Sequence, residues 1–163
     1  MSLKYLQGYP PTLQQQISDM MSRGELGPWL ARRYPLTHEV RSDTALFEYT
    51  QDLKTRFMRN AAPLNKVCFD AKLKIVQHAL GTHTRAPKQQ GGNTRMRREI
   101  RVASLFRESP PEFLKMIVVH ELAHLKELAH DKAFYSLCHH MEPEYGQLEF
   151  DCRVWLTHLE APQ

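Results

Sequence analysis

Residues 118–134, VVHELAHLKELAHDKAF, place three histidines and two glutamates at the end of an apolar run. At about 100° per residue, His120 and His124 fall one turn apart on the same helical face, so both imidazoles can reach one ion. Glu121, one residue round, can hold a water against that ion without ligating it. Zinc chemistry needs this spacing: two nitrogens to hold the ion and a carboxylate to take a proton from the attacking water. The plainer reading is a core helix that happens to contain histidines. Against it stands the desolvation cost of two imidazoles and a carboxylate in so apolar a helix, which a divalent cation offsets for the imidazoles.

His130 is the best third ligand. On a straight helix it would stand about 9 Å beyond His124 and well round the cylinder, so the helix is expected to end or bend between Leu125 and Ala129, although nothing in LKELA breaks a helix. Glu127, at i+3 from His124 and on its face, is the competing ligand. Lys126, Glu127, His130 and Asp131 also read as an ordinary solvated helix end.

Upstream, SPPEFLKMIVVHELAHL is the clearest helix in the chain, with Ser109 expected as N-cap, Pro110 as the first helical residue and Glu112 as the reciprocal capping-box acid. From Phe113 to Leu125 most faces are apolar, which places this helix in the interior. Before it, NKVCFDAKLKIVQ shows strand-like alternation: Val67 and Phe69 share one side, and Leu73 and Ile75 continue after a turn near Asp70–Lys72. GTHTRAPKQQGGNTRMRR reads as a long polar loop. EIRVASLF follows as another strand, with Ile100, Val102 and Ser104 alternating with Arg101, Ala103 and Leu105. The first sixty residues read as helical, from TLQQQISDMMSRG, with Thr12 and Gln15 at capping-box spacing, to a longer helix over Asp43–Arg59. After His130, DKAFYSLCHHM reads as a helix, and EYGQLEFDCRVWLTHLE sets Tyr145, Leu148, Cys152, Trp155 or Leu156, and Leu159 on one stripe. The expected fold is α+β: a small, mostly antiparallel sheet packed against a buried HExxH helix, flanked by N-terminal and C-terminal helices. Residues 1–163 read as one domain, with 1–61 a helical N-terminal extension and 62–163 the metal-hydrolase core.

The 163 residues suffice for a core without staples. Three cysteines, Cys68, Cys138 and Cys152, make no CxxC pair and leave an odd count, against both a disulfide framework and a thiolate knuckle. No apolar run approaches the roughly 20 residues of a membrane span, and the N-terminus lacks the apolar segment of a signal peptide, so the chain reads as cytoplasmic with no membrane partner. The net charge of +4 is unevenly spread: Arg85, Lys88, Arg95, Arg97, Arg98 and Arg101 face a single acid, Glu99. This run could seat a nucleotide or nucleic acid, with Arg95, Arg97, Arg98 and Arg101 as candidate anion-binding residues. It reads equally as a solvated strand face.

IVVHELAHLKELAHDKAFYSLC, followed by PEYGQLEFDCRVWL, resembles the YgjP-like metal-dependent hydrolases, a minimal zincin-type group related in motif to the SprT-like metallopeptidases. The resemblance implies His120, His124 and His130 as metal ligands, Glu121 as general base and Phe134 as a packing aromatic. It matches Pro143, Tyr145 and Trp155 to the family's C-terminal proline, aromatic and tryptophan. One departure concerns the substrate: many members carry WGSC before the strand preceding the metal helix, where this chain has LGTHTRAPKQQGG.

The expected activity is that of a zinc-dependent hydrolase with one zinc per chain, first of all a metallopeptidase acting on a peptide or protein. Tyr135, His139, His140, Tyr145 and Arg153 are the available transition-state stabilisers. The second reading is a nucleoside triphosphate pyrophosphatase, such as UTP to UMP and pyrophosphate, with magnesium or another divalent ion in play. The third is a nucleic-acid-associated SprT-like protease. Phosphoanhydride enzymes usually hold magnesium with carboxylates, whereas three histidines prefer zinc.

Overall fold

Helix α4 (Pro111–Ala123) is the axis on which the remaining elements are laid. Phe113, Leu114, Met116, Ile117, Val118, Val119, Leu122 and Ala123 are all buried, on every side of the helix. Burying each of the larger side chains contributes about 1.5–3 kcal/mol. The structure, a computed structural model, describes residues 3–73 and 98–162.

In chain order, a 3-10 turn at Lys4–Leu6 leads to α1 (Pro11–Ser22), α2 (Leu26–Arg33) and α3 (Asp43–Phe57). Strands β1 (Lys66–Asp70) and β2 (Glu99–Ala103) follow, then a 3-10 turn at Ser104–Glu108, α4, α5 (Lys132–Met141) and α6 (Tyr145–Glu160). Helix α3 starts where its side-chain chemistry says, with Ser42 Oγ accepting the Ala45 N–H at 3.0 Å.

The sheet differs from expectation. β1 and β2 pair in parallel, in the register Lys66↔Glu99 to Asp70↔Ala103. Alternation of side chains reports which residues share a face but carries no strand direction. The separation does: residues 71–98 lie between the strands, far beyond a hairpin loop and ample for the crossover that a parallel pair requires. Val67, Phe69, Ile100 and Val102 are buried as the alternation predicts. Ser104 leaves the strand for the 3-10 turn. The turn at Asp70–Lys72 is present, with Asp70 Oδ1 accepting the Lys72 N–H at 2.8 Å. Leu73 is not in a strand, and Ile75 lies outside the described residues.

The start of α4 is corrected by one residue. Pro110, not Ser109, is the N-cap, and no side chain caps the helix. Ser109 is fully buried and its hydroxyl donates to the Phe106 and Pro110 carbonyls instead, at 3.2 and 2.9 Å. Glu112 closes no capping box; its Oε1 is buried without a hydrogen-bond partner. At α1, Pro10 takes the N-cap and Thr12 lies inside the helix.

The N-terminal helices pack onto α6. Leu6, Ile17, Leu26 and Leu30 form an apolar cluster with Val154. Asp151, fully buried on α6, accepts from Arg33 Nε at 3.0 Å, from the Tyr34 hydroxyl and from Gln147 Nε2 at 2.9 Å, which pins α2. Gly27 permits this approach, since a Cβ there would stand 3.0 Å from the His158 ring. Of the predicted α6 stripe, Tyr145, Leu148, Cys152 and Leu156 are buried, whereas Leu159 is exposed.

Candidate metal centre

The helix ends sooner than the sequence suggests. α4 stops at Ala123, with His124 as its C-cap, and the Leu125, Lys126 and Glu127 amides fold back onto the Leu122 and Ala123 carbonyls at 2.9–3.0 Å. Two polar contacts hold the reversal. His124 Nδ1 donates to the Glu127 carbonyl at 3.0 Å, and Asp131 Oδ1 accepts the Phe134 N–H at 3.0 Å as N-cap of α5. Asp131, three residues before Phe134, was a legible start signal for α5, and a second start so close to His124 implies the break.

The reversal carries His130 back onto α4. His130 Nε2 lies 3.0 Å from His124 Nε2 and 3.3 Å from His120 Nε2. The three ligand atoms all fall within 4.8 Å of one another, and no other group of this kind occurs among the described residues. Nitrogens sharing one tetrahedral zinc at the usual bond length stand about 3.3 Å apart. The donor set and spacing thus fit a small divalent ion. His120 is fully buried, His124 nearly so, and Phe134 lies beneath all three rings with centroids at 5.0, 4.6 and 4.9 Å.

The ring nitrogens of His120 and His124 that face away from the cluster are both held. His124 Nδ1 is held by the Glu127 carbonyl, so Glu127 contributes its backbone to the site, and its carboxylate does not join the cluster. His120 Nδ1 lies 2.7 Å from the Tyr145 hydroxyl. Tyr145 is fully buried at the start of α6, its ring tilted only 22° from that of His120. Burial, with Glu149 and Cys138 nearby, pushes the phenol well above its ordinary pKa. Glu121, in the last turn of α4, is half-buried beside His120.

The remaining candidates are dispersed. Tyr135 stands 6.5 Å from the His130 ring and is half-buried; burial first, then Glu149, pushes its pKa up to about 12, so it remains a hydroxyl donor. His139 is exposed with Nδ1 on the Pro143 carbonyl, and His140 is exposed with its ring edge on Phe57. Arg153 bonds Glu149 at 2.9 Å and the Tyr5 carbonyl at 2.9 Å, joining α6 to the N-terminal turn. Arg101 bridges Asp70 and Glu99 on an exposed strand face. Arg98 exchanges hydrogen bonds with Asn65 through its backbone. Arg95 and Arg97, with Arg85 and Lys88, lie outside the described residues. An apolar depression of about 190 Å³ against Tyr34, Phe113 and Trp155 lies at the opposite end of α4 and holds no such ligand group.

A cluster of three histidines at the end of a helix, two of them buried, could hold the ion that a metal-dependent hydrolase requires. Residues 49–151 match the family model described as YgjP-like, metallopeptidase domain, and the chain belongs to the YgjP-like family. It is 56% identical over 162 residues, covering 99% of this chain and 97% of the relative, to a protein of Escherichia coli (strain K12) named UTP pyrophosphatase. Family and relative alike make the chain a hydrolase. No solved structure matches. The family match contains all three histidines, Glu121 and Tyr145; Arg153 lies just beyond it. Among the described residues, no helix is long and apolar enough to cross a membrane.

Proposed function

We propose that the chain hydrolyses the α–β phosphoanhydride of a nucleoside triphosphate, converting UTP to UMP and pyrophosphate, at one zinc ion held by His120, His124 and His130. The observation that carries this reading is the 56% identity to the UTP pyrophosphatase over nearly the whole of both chains. The shell around the cluster favours it too. Three neutral imidazoles, backed by a phenol and a backbone carbonyl, leave a divalent charge unneutralised by its ligands, which suits a polyanionic substrate.

A divalent ion in this position would lower the pKa of a water and polarise the phosphoryl oxygen under attack. Glu121 takes the proton of that water as its oxygen bonds to the α-phosphorus, the bond to the α–β bridging oxygen breaks, and pyrophosphate departs with the electron pair. Phe134 keeps bulk water from beneath the imidazoles, and Tyr135 can donate a hydrogen bond to a non-bridging oxygen. Arg95, Arg97 and Arg98 supply charge for the β- and γ-phosphates. Magnesium would then accompany the nucleotide, since three nitrogens suit it poorly.

The family description favours a second reading, in which the same water and Glu121 act on a peptide carbonyl. Zinc-loaded wild type and E121Q screened against nucleoside triphosphates and a peptide library discriminate the two. The proposal expects pyrophosphate from UTP with wild type alone; cleavage confined to peptides would reverse the assignment.

A further inference from the structure

We infer that Tyr145 is the positioning residue of the metal centre: with the Glu127 carbonyl, its phenol oxygen presets the tautomers that turn His120 and His124 Nε2 toward the ion. This rests on the reading of the triad as a metal site. The Glu127 carbonyl can only accept, so a neutral His124 carries its proton on Nδ1 and presents a lone pair on Nε2. His120 Nε2 faces the same cluster, so a neutral His120 that offers its Nε2 lone pair to an ion carries its proton on Nδ1, where Tyr145 Oη stands 2.7 Å away to accept it.

Tyr145 is suited to accept. It is fully buried beside the equally buried Cys138, whose sulfur can accept a hydrogen bond from the phenol and leave an oxygen lone pair for His120. A metal ligand's outer nitrogen is often held by a carboxylate; a neutral phenol fixes the ring without adding negative charge to the site. Two of the three ligand rings are thus held from outside the cluster. Tyr145 acts through His120 and touches no reacting atom.

The test combines nitrogen-15 correlation spectra of metal-free wild type with zinc affinity by chelator competition for wild type, Y145F and C138A. We expect His120 and His124 both as Nδ1–H tautomers in the metal-free protein. We expect zinc affinity about 10–100-fold weaker in Y145F, with a much smaller change in C138A. His120 found as the Nε2–H tautomer, or a folded Y145F with wild-type zinc affinity, would overturn the inference. The wild-type tautomer decides it alone should Y145F not fold. Wild type that binds no zinc at the triad would instead remove the metal-site reading beneath it.

Discussion

His124 and His130 bring their Nε2 atoms to 3.0 Å although six residues separate them, because the chain leaves the helix at Ala123 and re-enters one at Lys132. A continuous helix would have separated them by about 9 Å. The break therefore brings His130 against the other two imidazoles and Phe134 beneath the rings.

The first prediction separates the two candidate third ligands. H130A should lower zinc affinity at least a hundredfold, while E127Q should leave it near wild type, because Glu127 acts through its backbone carbonyl. Competition with a chromogenic chelator measures both. Equal losses in the two variants would place the Glu127 carboxylate on the metal.

Phe134 joins packing to chemistry. F134A deletes a fully buried ring touching all three histidines, so unfolding stability should fall by about 3–5 kcal/mol. F134L should retain much of it. Urea unfolding of the metal-free forms reads the packing alone, and an F134A loss below about 1 kcal/mol would show that the ring is not a core element.

The N-terminal turn should be acid-labile. The Tyr5 hydroxyl, and then Lys4, hold the Glu160 carboxyl below its ordinary pKa. A depressed folded-state pKa means that the contact contributes above the unfolded value, about 4.3, and is lost as pH falls through the folded one. Amide exchange at Lys4–Leu6, corrected for intrinsic rate, should be flat from pH 5 to 8 and rise below about pH 4. A rise centred near pH 6.5 would implicate a histidine instead.

Charge reversal at Arg97 and Arg98 probes the substrate. With UTP the double reversal should raise KM at least tenfold and change kcat less, since these guanidinium groups are assigned to the phosphates and not to the reacting bond. An unchanged KM for UTP, together with lost DNA or RNA binding, would move the basic run to nucleic acid.

How much was legible in the sequence follows from what each signal encodes. The mostly apolar faces of Phe113–Leu125 place α4 inside, and the helix expected from Asp43 begins there, capped by Ser42. The strands at Val67–Phe69 and Ile100–Val102 could be found by period two, but their parallel pairing could not, because alternation is the same in both directions. LKELA favours helix by propensity and is overridden by two contacts, His124 to the Glu127 carbonyl and Asp131 to the Phe134 amide. Ser109 and Glu112 have capping-box spacing, but spacing alone cannot tell which carbonyls compete for the hydroxyl. Tyr145 was legible as a polar aromatic near the site, yet its place behind His120 depends on how α6 packs on α4.

The most direct measurement titrates metal-free protein with zinc and follows UTP by phosphorus-31 NMR at each occupancy. UMP and pyrophosphate should appear at a rate rising linearly to one zinc per chain. In E121Q with full occupancy the rate should fall by about 10² or more. Fully loaded wild type that leaves UTP intact, or loaded E121Q that turns it over at the wild-type rate, would contradict the proposed reaction.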